Sequence, residues 1–271
     1  MRDKDESEGR AVLSAGEVPA LILCGGAGTR LRAVLQGVPK ALAPVAGVPF
    51  LDHVLEALRA AGIRKAVLCT GVHSEAMVRR YGGASPRGLA VHFSEEQQPL
   101  GTGGAVRQAS GTLTAEEQTV LVLNGDTFLD IDFAAFLAQH QGTGAAITVA
   151  LVRAADGSRY GSVAIDPHGR VTSFLEKPAN RASAGLDESL LSAGWYLMQR
   201  AVLESIPPAP PAISLETEVL PQWIGRGWYG HRTNGFFIDI GIPEDLERAQ
   251  REFASRGAAT EVATGAVAHS R

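Results

Sequence analysis

ALILCGGAGTRL, residues 20–31, is the stretch whose reading decides the fold. Ala20 to Cys24 form a continuous apolar run that stops abruptly at Gly25-Gly26. A run without polar alternation reads as a parallel strand buried on both faces. Behind it stands a glycine turn followed by Arg30. Glycines let the backbone approach closely, so successive N–H groups can converge on phosphate oxygens, and an arginine adds a two-pronged charged contact. The stretch is neither G-x-G-x-x-G nor G-x-x-x-x-G-K-[ST], the usual nucleotide fingerprints. Taken alone it is equally a tight strand-to-helix turn with solvated cations. Pro39-Lys40 then adds a second cation, near the same strand end if the chain between folds back.

Working outward, apolar runs alternate with amphipathic segments. FLDHVLEALRAAG (50–62) sets Phe50, Val54, Leu55 and Leu58 on one helical face and ends on Gly62. KAVLCT (65–70) reads as a strand, SEAMVRRYG (74–82) as a short helix and LAVHFS (89–94) as an alternating strand. TGGAVRQAS (102–110) is helical, TVLVLNGD (119–126) is a buried strand ending in a polar turn, and DFAAFLAQH (132–140) is a helix with Asp132 as N-cap. This βαβαβα order predicts a doubly wound, Rossmann-like α/β sheet.

The second half changes character. AAITVALV (145–152), YGSVAID (160–166) and RVTSFLEK (170–177) are strand-like, with Pro167-His168-Gly169 turning a hairpin between the last two. Residues 192–198 and 235–241 read as strands, 214–225 as a helix, and 243–255 as a helix opening on Pro243 with acidic residues first. The expected fold is a mixed, mostly parallel sheet whose antiparallel additions cover a cleft. Residues 18–256 form one domain, with halves 18–143 and 144–256, between loosely ordered ends 1–17 and 257–271.

Composition narrows the function classes. The chain has 271 residues, 45% apolar and 20% charged, with a formal net charge of −4 and a pI near 6.0. It is neither disordered nor collagen-like in composition, and mild acidity argues against nucleic acid as a partner. No apolar stretch approaches the roughly 20 residues that span a bilayer. The charged opening MRDKDESEGR is followed by no apolar signal-peptide core, so the expected location is the cytoplasm, with no membrane partner. Cys24 and Cys69 support neither a disulfide framework nor a zinc motif, and the seven histidines show no ligand spacing. Homo-oligomerisation is left open.

Two carboxylates invite a choice of readings. Asp126 ends a strand where α/β sheets open into their ligand crevice. Asp239 is flanked by Phe236, Phe237, Ile238 and Ile240 and needs a partner if buried. The bland reading pairs Asp239 with an arginine or a helix start; the sharp one joins both aspartates on Mg²⁺, which prefers oxygen ligands. Spacing alone favours the bland one. Asp130 and Asp132 read as turn and N-cap.

GGAGTRL followed by PKAL resembles the signature of the sugar-1-phosphate nucleotidyltransferases, the nucleoside-diphosphate-sugar pyrophosphorylases. PLGTGGA (99–105), LNGDTFLD (123–130), FLEKP (174–178) and FIDIGIPEDLERAQ (237–250) follow in that family's order, so the resemblance covers about residues 20–255. The LGTGGA and NGDTF segments and the IDIGIPED stretch look most like its heptose 1-phosphate guanylyltransferase branch.

The resemblance implies a reaction between a nucleoside triphosphate and a sugar 1-phosphate, giving NDP-sugar and pyrophosphate, with Asp126 and Asp239 holding Mg²⁺. It implies Arg30, Lys40 and Lys177 as the cations of catalysis. Leu23, Gly25, Gly26, Gly28, Thr29, Gln98, Gly101, Thr102 and Gly125 would serve the nucleotide; Gly161, Glu176, Lys177 and Ser192 would serve the sugar. The expected product is GDP-heptose for a bacterial surface polysaccharide. Mannose, glucose or N-acetylmuramate phosphate with another nucleotide, and a non-catalytic sugar-nucleotide sensor, stand as alternatives. A dinucleotide oxidoreductase is disfavoured by the missing G-x-G-x-x-G. One departure stands out: Ser192-Ala193-Gly194-Trp195-Tyr196 replaces a family segment N-[AG]-G-[IV]-Y, and Ser192 or Trp195 could alter the choice of sugar.

Overall fold

The computed structural model describes residues 12–26, 31, 35–71, 74–82, 88–153, 160–176, 190–208 and 211–268, with the side chains of the last helix up to Arg256. Gly28, Thr29, Arg30 and Lys177 lie outside the described residues. In chain order the strands are β1 (Ala20–Leu23), β2 (Pro44–Val45), β3 (Val48–Pro49), β4 (Lys65–Thr70), β5 (Ala90–Glu95), β6 (Thr119–Asn124), β7 (Thr127–Leu129), β8 (Ile147–Arg153), β9 (Ser162–Ile165), β10 (Val171–Leu175), β11 (Leu190–Gln199), β12 (Trp228–Arg232) and β13 (Phe237–Asp239). The helices are α1 (Phe50–Ala60), α2 (Glu75–Tyr81), α3 (Gly101–Ala109), α4 (Phe133–Gly142), α5 (Arg200–Glu204) and α6 (Pro243–Ala268).

Among the described residues the main sheet has nine strands, running β10-β9-β11-β6-β1-β4-β5, with β8 paired to β11 and β12. β1 is parallel to both β4 and β6, in registers that align Leu23 with Cys69 and with Asn124. β11 runs antiparallel to β6, β8 and β9. The expected mixed sheet, parallel first and antiparallel afterwards, is therefore the observed one. The Asp166 carboxylate closes the β9–β10 hairpin by accepting the His168 and Arg170 N–H groups at 2.9 and 2.8 Å.

Strand alternation divides the core. Ala20, Ile22, Ala66, Leu68, Leu121 and Leu123 face one side with α1, whose Phe50, Leu51, Val54, Leu55 and Leu58 are all buried. Leu21, Val67, Cys69, Val120 and Val122 face the other. Each Val, Leu, Ile or Phe side chain among them contributes roughly 1.5–3 kcal/mol on removal from water. Cys69 packs on the second side and Cys24 on the first.

α6 packs against the α1 side through Phe253, whose ring lies 4.9 Å from that of Phe128 and 6.1 Å from those of Phe50 and Phe236. Gln250 on the same helix donates to the Pro44 carbonyl at 2.6 Å and accepts from the Ala46 N–H at 2.8 Å. The helix thus ties the β2–β3 hairpin to the strands that carry the site.

Three local expectations change. The last helix continues past Ser255 to Ala268, through an alanine-rich stretch that contains no proline. The chain before β1 forms a 3₁₀ turn at Ala15–Glu17, fastened by the Ser14 N–H donating to the Glu17 carboxylate at 2.9 Å. The helix expected over 214–225 is a π turn, Leu215–Val219, followed by a 3₁₀ turn, Leu220–Trp223. Pro221 has no N–H to extend an α-helical ladder. The Glu218 and Val219 N–H groups instead converge on the Ser214 carbonyl at 3.1 and 3.3 Å.

Candidate active site

The parallel strands β1 and β6 end side by side, and both ends open into a cleft of about 560 Å³. Gly25 and Gly26 follow β1, and Gly125-Asp126 follow β6. Gly125 donates its N–H to the Leu23 carbonyl at 2.9 Å. A Cβ at Gly125 would stand 2.8 Å from Cys24 Sγ and 3.1 Å from the Leu23 oxygen, so this crossing of the two strand ends needs glycine. Gly26 has φ +120° with open space beside it, a conformation that side chains resist. Cys24 lines the cleft, and burial pushes its thiol well above the usual range.

Asp126 and Asp239, far apart in sequence, are brought together by a separate two-stranded ribbon. β13 pairs antiparallel with β7, setting Asp239 opposite Thr127, and the Ile240 N–H donates to the Asp126 carbonyl at 3.0 Å. This ladder sets the two carboxylates side by side: each sits at one end of a paired strand, at the same end of the ribbon. Between them lies Lys40, whose ammonium donates to Asp126 Oδ2 and lies 3.5 Å from Asp239 Oδ1. Lys40 reaches that point from a 3₁₀ turn, Lys40–Leu42, that begins after Pro39. Asp239 Oδ1 also accepts the Gly241 N–H at 2.6 Å.

Across the cleft the lining is made of side chains. The Ser192 and Tyr196 hydroxyls are hydrogen-bonded at 2.8 Å although they belong to one strand. Four residues apart, they share one face of β11 by alternation, and the β11–β8 register shifts between them, with Gly194 at φ +69°. A Cβ on Gly194 would come within 2.5 Å of Asn124 Nδ2. Burial, with the nearby Glu216 carboxylate adding to it, pushes the Tyr196 phenol far up and keeps it protonated. Gly161 accepts the Ser192 N–H at 2.9 Å, and its bare α-carbon lets Glu176 approach: a Cβ there would lie 3.1 Å from Glu176 Oε2.

The residues singled out in the sequence distribute unevenly. Leu23, Gly25, Gly26, Lys40, Thr102, Gly125, Asp126, Gly161, Glu176, Ser192 and Asp239 line this one cleft. Gly101 packs its backbone against Ile213 rather than facing the opening, and Gln98 is an exposed residue outside the lining. Trp195 does not face the sugar side at all: alternation along β11 turns it into the core at 2% exposure, so its bulk is a packing feature. Asp132 caps α4 by accepting the Ala135 N–H at 3.0 Å, as expected, while Asp130 pairs with Arg256 at 3.2 Å. Ser214, Glu216 and Thr217, which fall in none of the motifs, also line the cleft, from the π turn and the residue that caps it. A helical pattern interrupted by Pro221 was the available signal.

A profile of the nucleotidyl transferase family matches residues 19–256. The chain belongs to that family. Among curated nucleotidyl transferases, it is 35% identical over 243 residues to mannose-1-phosphate guanylyltransferase of Mycobacterium tuberculosis, covering 89% of this chain and 66% of the relative's length. It is 36% identical over 234 residues to D-glycero-alpha-D-manno-heptose 1-phosphate guanylyltransferase of Aneurinibacillus thermoaerophilus, covering 86% of this chain and 97% of the relative. Among solved structures it resembles HddC from Yersinia pseudotuberculosis complexed with GMP-PN, with TM-score 0.75, 30% identity, and coverage of 87% of this chain and 99% of that one.

The donor set at the seam suits a hard divalent cation. Two carboxylates converge on one cationic centre, the Lys40 ammonium, and among the described residues no third His, Cys, Asp or Glu joins them. Magnesium is commonly held by one or two carboxylates, with phosphate and water oxygens completing its shell. Among the described residues no helix is long and apolar enough to cross a membrane.

Proposed function

We propose that this nucleotidyl transferase is a sugar-1-phosphate guanylyltransferase that joins GTP to D-glycero-α-D-manno-heptose 1-phosphate, giving GDP-heptose and pyrophosphate. The observation that carries the reaction class is the Asp126–Lys40–Asp239 cluster at the end of β6, between a glycine-lined wall and a hydroxyl- and carboxylate-lined wall. The names of the guanylyltransferase relatives support the base. Heptose is supported by relatives in two bacteria, at 36% and 33% identity. Mannose 1-phosphate is the second reading, on the strength of the 35% identical Mycobacterium protein.

The sugar phosphate oxygen is already anionic, so the reaction requires neither a general base nor a covalent nucleophile. What it requires is that two anions be held in line and their charge offset. In this reading the Gly25 and Gly26 amides receive the triphosphate. Lys40 lies beside the reacting phosphorus. Arg30 and Lys177, outside the described residues, supply the remaining cations on motif grounds. Asp126 and Asp239 would hold a magnesium ion, which when bound supplies positive charge against the α-phosphoryl oxygens. Glu176, Glu216, Ser192 and Tyr196 offer the acceptors and donors that a polyhydroxylated ring needs. The work is done in the cytoplasm, where nucleoside triphosphates are available, and feeds a surface polysaccharide.

Pyrophosphate release measured with heptose 1-phosphate and with mannose 1-phosphate, each against GTP, ATP, CTP, UTP and dTTP, tests the proposal. Release confined to heptose 1-phosphate and GTP is expected. Preference for mannose 1-phosphate would overturn the sugar, another nucleotide the base, and no release the reaction.

A further inference from the structure

Thr102 lies in the segment that the motif assigns to the nucleotide, yet its side chain is engaged by the opposite wall. Its Oγ1 accepts the Leu215 N–H at 2.8 Å and donates to Glu216 Oε2 at 2.7 Å. A hydroxyl has one proton, so this one cannot also donate to a nucleobase. The backbones around it are joined as well. Ile213 donates to the Leu100 carbonyl at 2.8 Å and accepts the Gly103 N–H at 2.8 Å. Gly101, at φ +74°, lies so close that a Cβ would fall on the Ile213 carbonyl. The start of α3 and the turn after Ile213 are therefore one packed unit.

Glu216 sits on the π turn Leu215–Val219, and such turns recur at functional sites. Both of its hydrogen bonds, from Thr102 and from Ser214 at 3.3 Å, arrive at Oε2. Oε1 accepts no hydrogen bond among the described residues, and Glu216 lines the cleft. We propose that the side chain of Thr102 makes it a positioning residue for the sugar 1-phosphate rather than a side-chain reader of the base: it fixes Oε2 of Glu216 so that Oε1 is presented to a sugar hydroxyl. The inference rests on the sugar-1-phosphate reading above.

The test compares wild type with Thr102→Val, Thr102→Ser, Glu216→Ala and the double variant Thr102→Val/Glu216→Ala. Loss of one hydrogen bond to a charged group predicts a rise of about tenfold in KM for the sugar 1-phosphate in Thr102→Val. The KM for GTP and kcat of Thr102→Val should stay within about twofold, Thr102→Ser should restore binding, and the double variant should bind sugar no worse than Glu216→Ala alone. A rise in the KM for GTP with the sugar KM unchanged would overturn the proposal, as would fully additive effects. Calorimetric titration with GDP-mannose and with GDP supplies a readout without turnover: Thr102→Val should weaken GDP-mannose and leave GDP unchanged, and equal weakening of both would overturn it. If wild type releases no pyrophosphate, the proposed reaction fails, and the GDP-mannose/GDP comparison still decides the role of Thr102.

Discussion

The two walls of the cleft are built from different material. The wall at the ends of β1 and β6 is mostly backbone: Gly25 and Gly26 are exposed there, Gly125 lets the two strand ends cross, and Asp126 follows it at the end of β6. The facing wall is mostly side chains, drawn from three separate segments: Glu176 after β10, Ser192 and Tyr196 on β11, and Glu216 on the π turn. The first depends on regular parallel strands stopping in register, the second on irregularities, a bulge at Gly194 and a π turn before Pro221. A wall of amides suits phosphates, which every nucleotide shares. A wall of side chains suits hydroxyls, whose placement distinguishes one sugar from another. On the proposed function, reaction class resides in the first and sugar choice in the second.

The largest expected effect comes from breaking the seam between them. Asp126→Asn or Asp239→Asn should each lower Mg²⁺-dependent turnover by roughly 10²-fold or more, the scale of losing one preorganised electrostatic group. Near-normal rates in either variant would remove the metal from the proposed site.

Gly101→Ala attacks the contact that locks the walls together. Its left-handed φ and the Ile213 carbonyl in the path of a Cβ predict a loss of about 3 kcal/mol in urea unfolding, from backbone strain with overpacking. Gly26→Ala, with the same kind of φ but open space, should cost only about 1 kcal/mol. Equal costs would show that the two walls are not packed as described.

Ser192→Asn sharpens the comparison within the second wall. A longer amide beside Tyr196 should change the ratio of kcat/KM between heptose and mannose 1-phosphate by about tenfold, roughly 1.4 kcal/mol, and leave the KM for GTP alone. A change confined to GTP would place sugar choice elsewhere.

The smallest effect lies away from both walls. Burial lowers the His231 pKa below its ordinary 6.5, and its Nδ1 stands 2.7 Å from Gln139 Oε1. The unfolded chain then binds the proton more readily, so His231 lowers stability as pH falls through about 6.5 and has no such effect above it. His231→Gln should flatten the acid side of the stability profile; an unchanged slope would mean that the ring titrates normally in the folded protein.

Particular residues show what could be read in advance. The strand at Ala20, the helix at Phe50, the Asp132 cap and the Asp166–Arg170 turn were legible because each depends on neighbours close in sequence. The direction Trp195 faces is set by alternation along β11 and by which face of that strand packs on the core, not by its residue type. Glu216 and Ser214 are not legible in the sequence because a π turn leaves no periodic signature of its own. Strand β12, Trp228 to Arg232, is only five residues long with a glycine at its centre, and its place is set by lying parallel to β8.

By itself, the sequence determined the local elements, the change from parallel to antiparallel strands and the motifs that point to the nucleotidyl transferases, since these follow from periodicity, turn chemistry and short spacings. Only the tertiary structure decided that Asp126 and Asp239 meet, with Lys40 between them, and that Thr102 turns its hydroxyl to Glu216. Those pairs are created by the β7–β13 ladder and by the packing of α3 on the turn after Ile213. Contacts between segments so distant in the chain depend on how whole elements dock, and no local pattern carries that information.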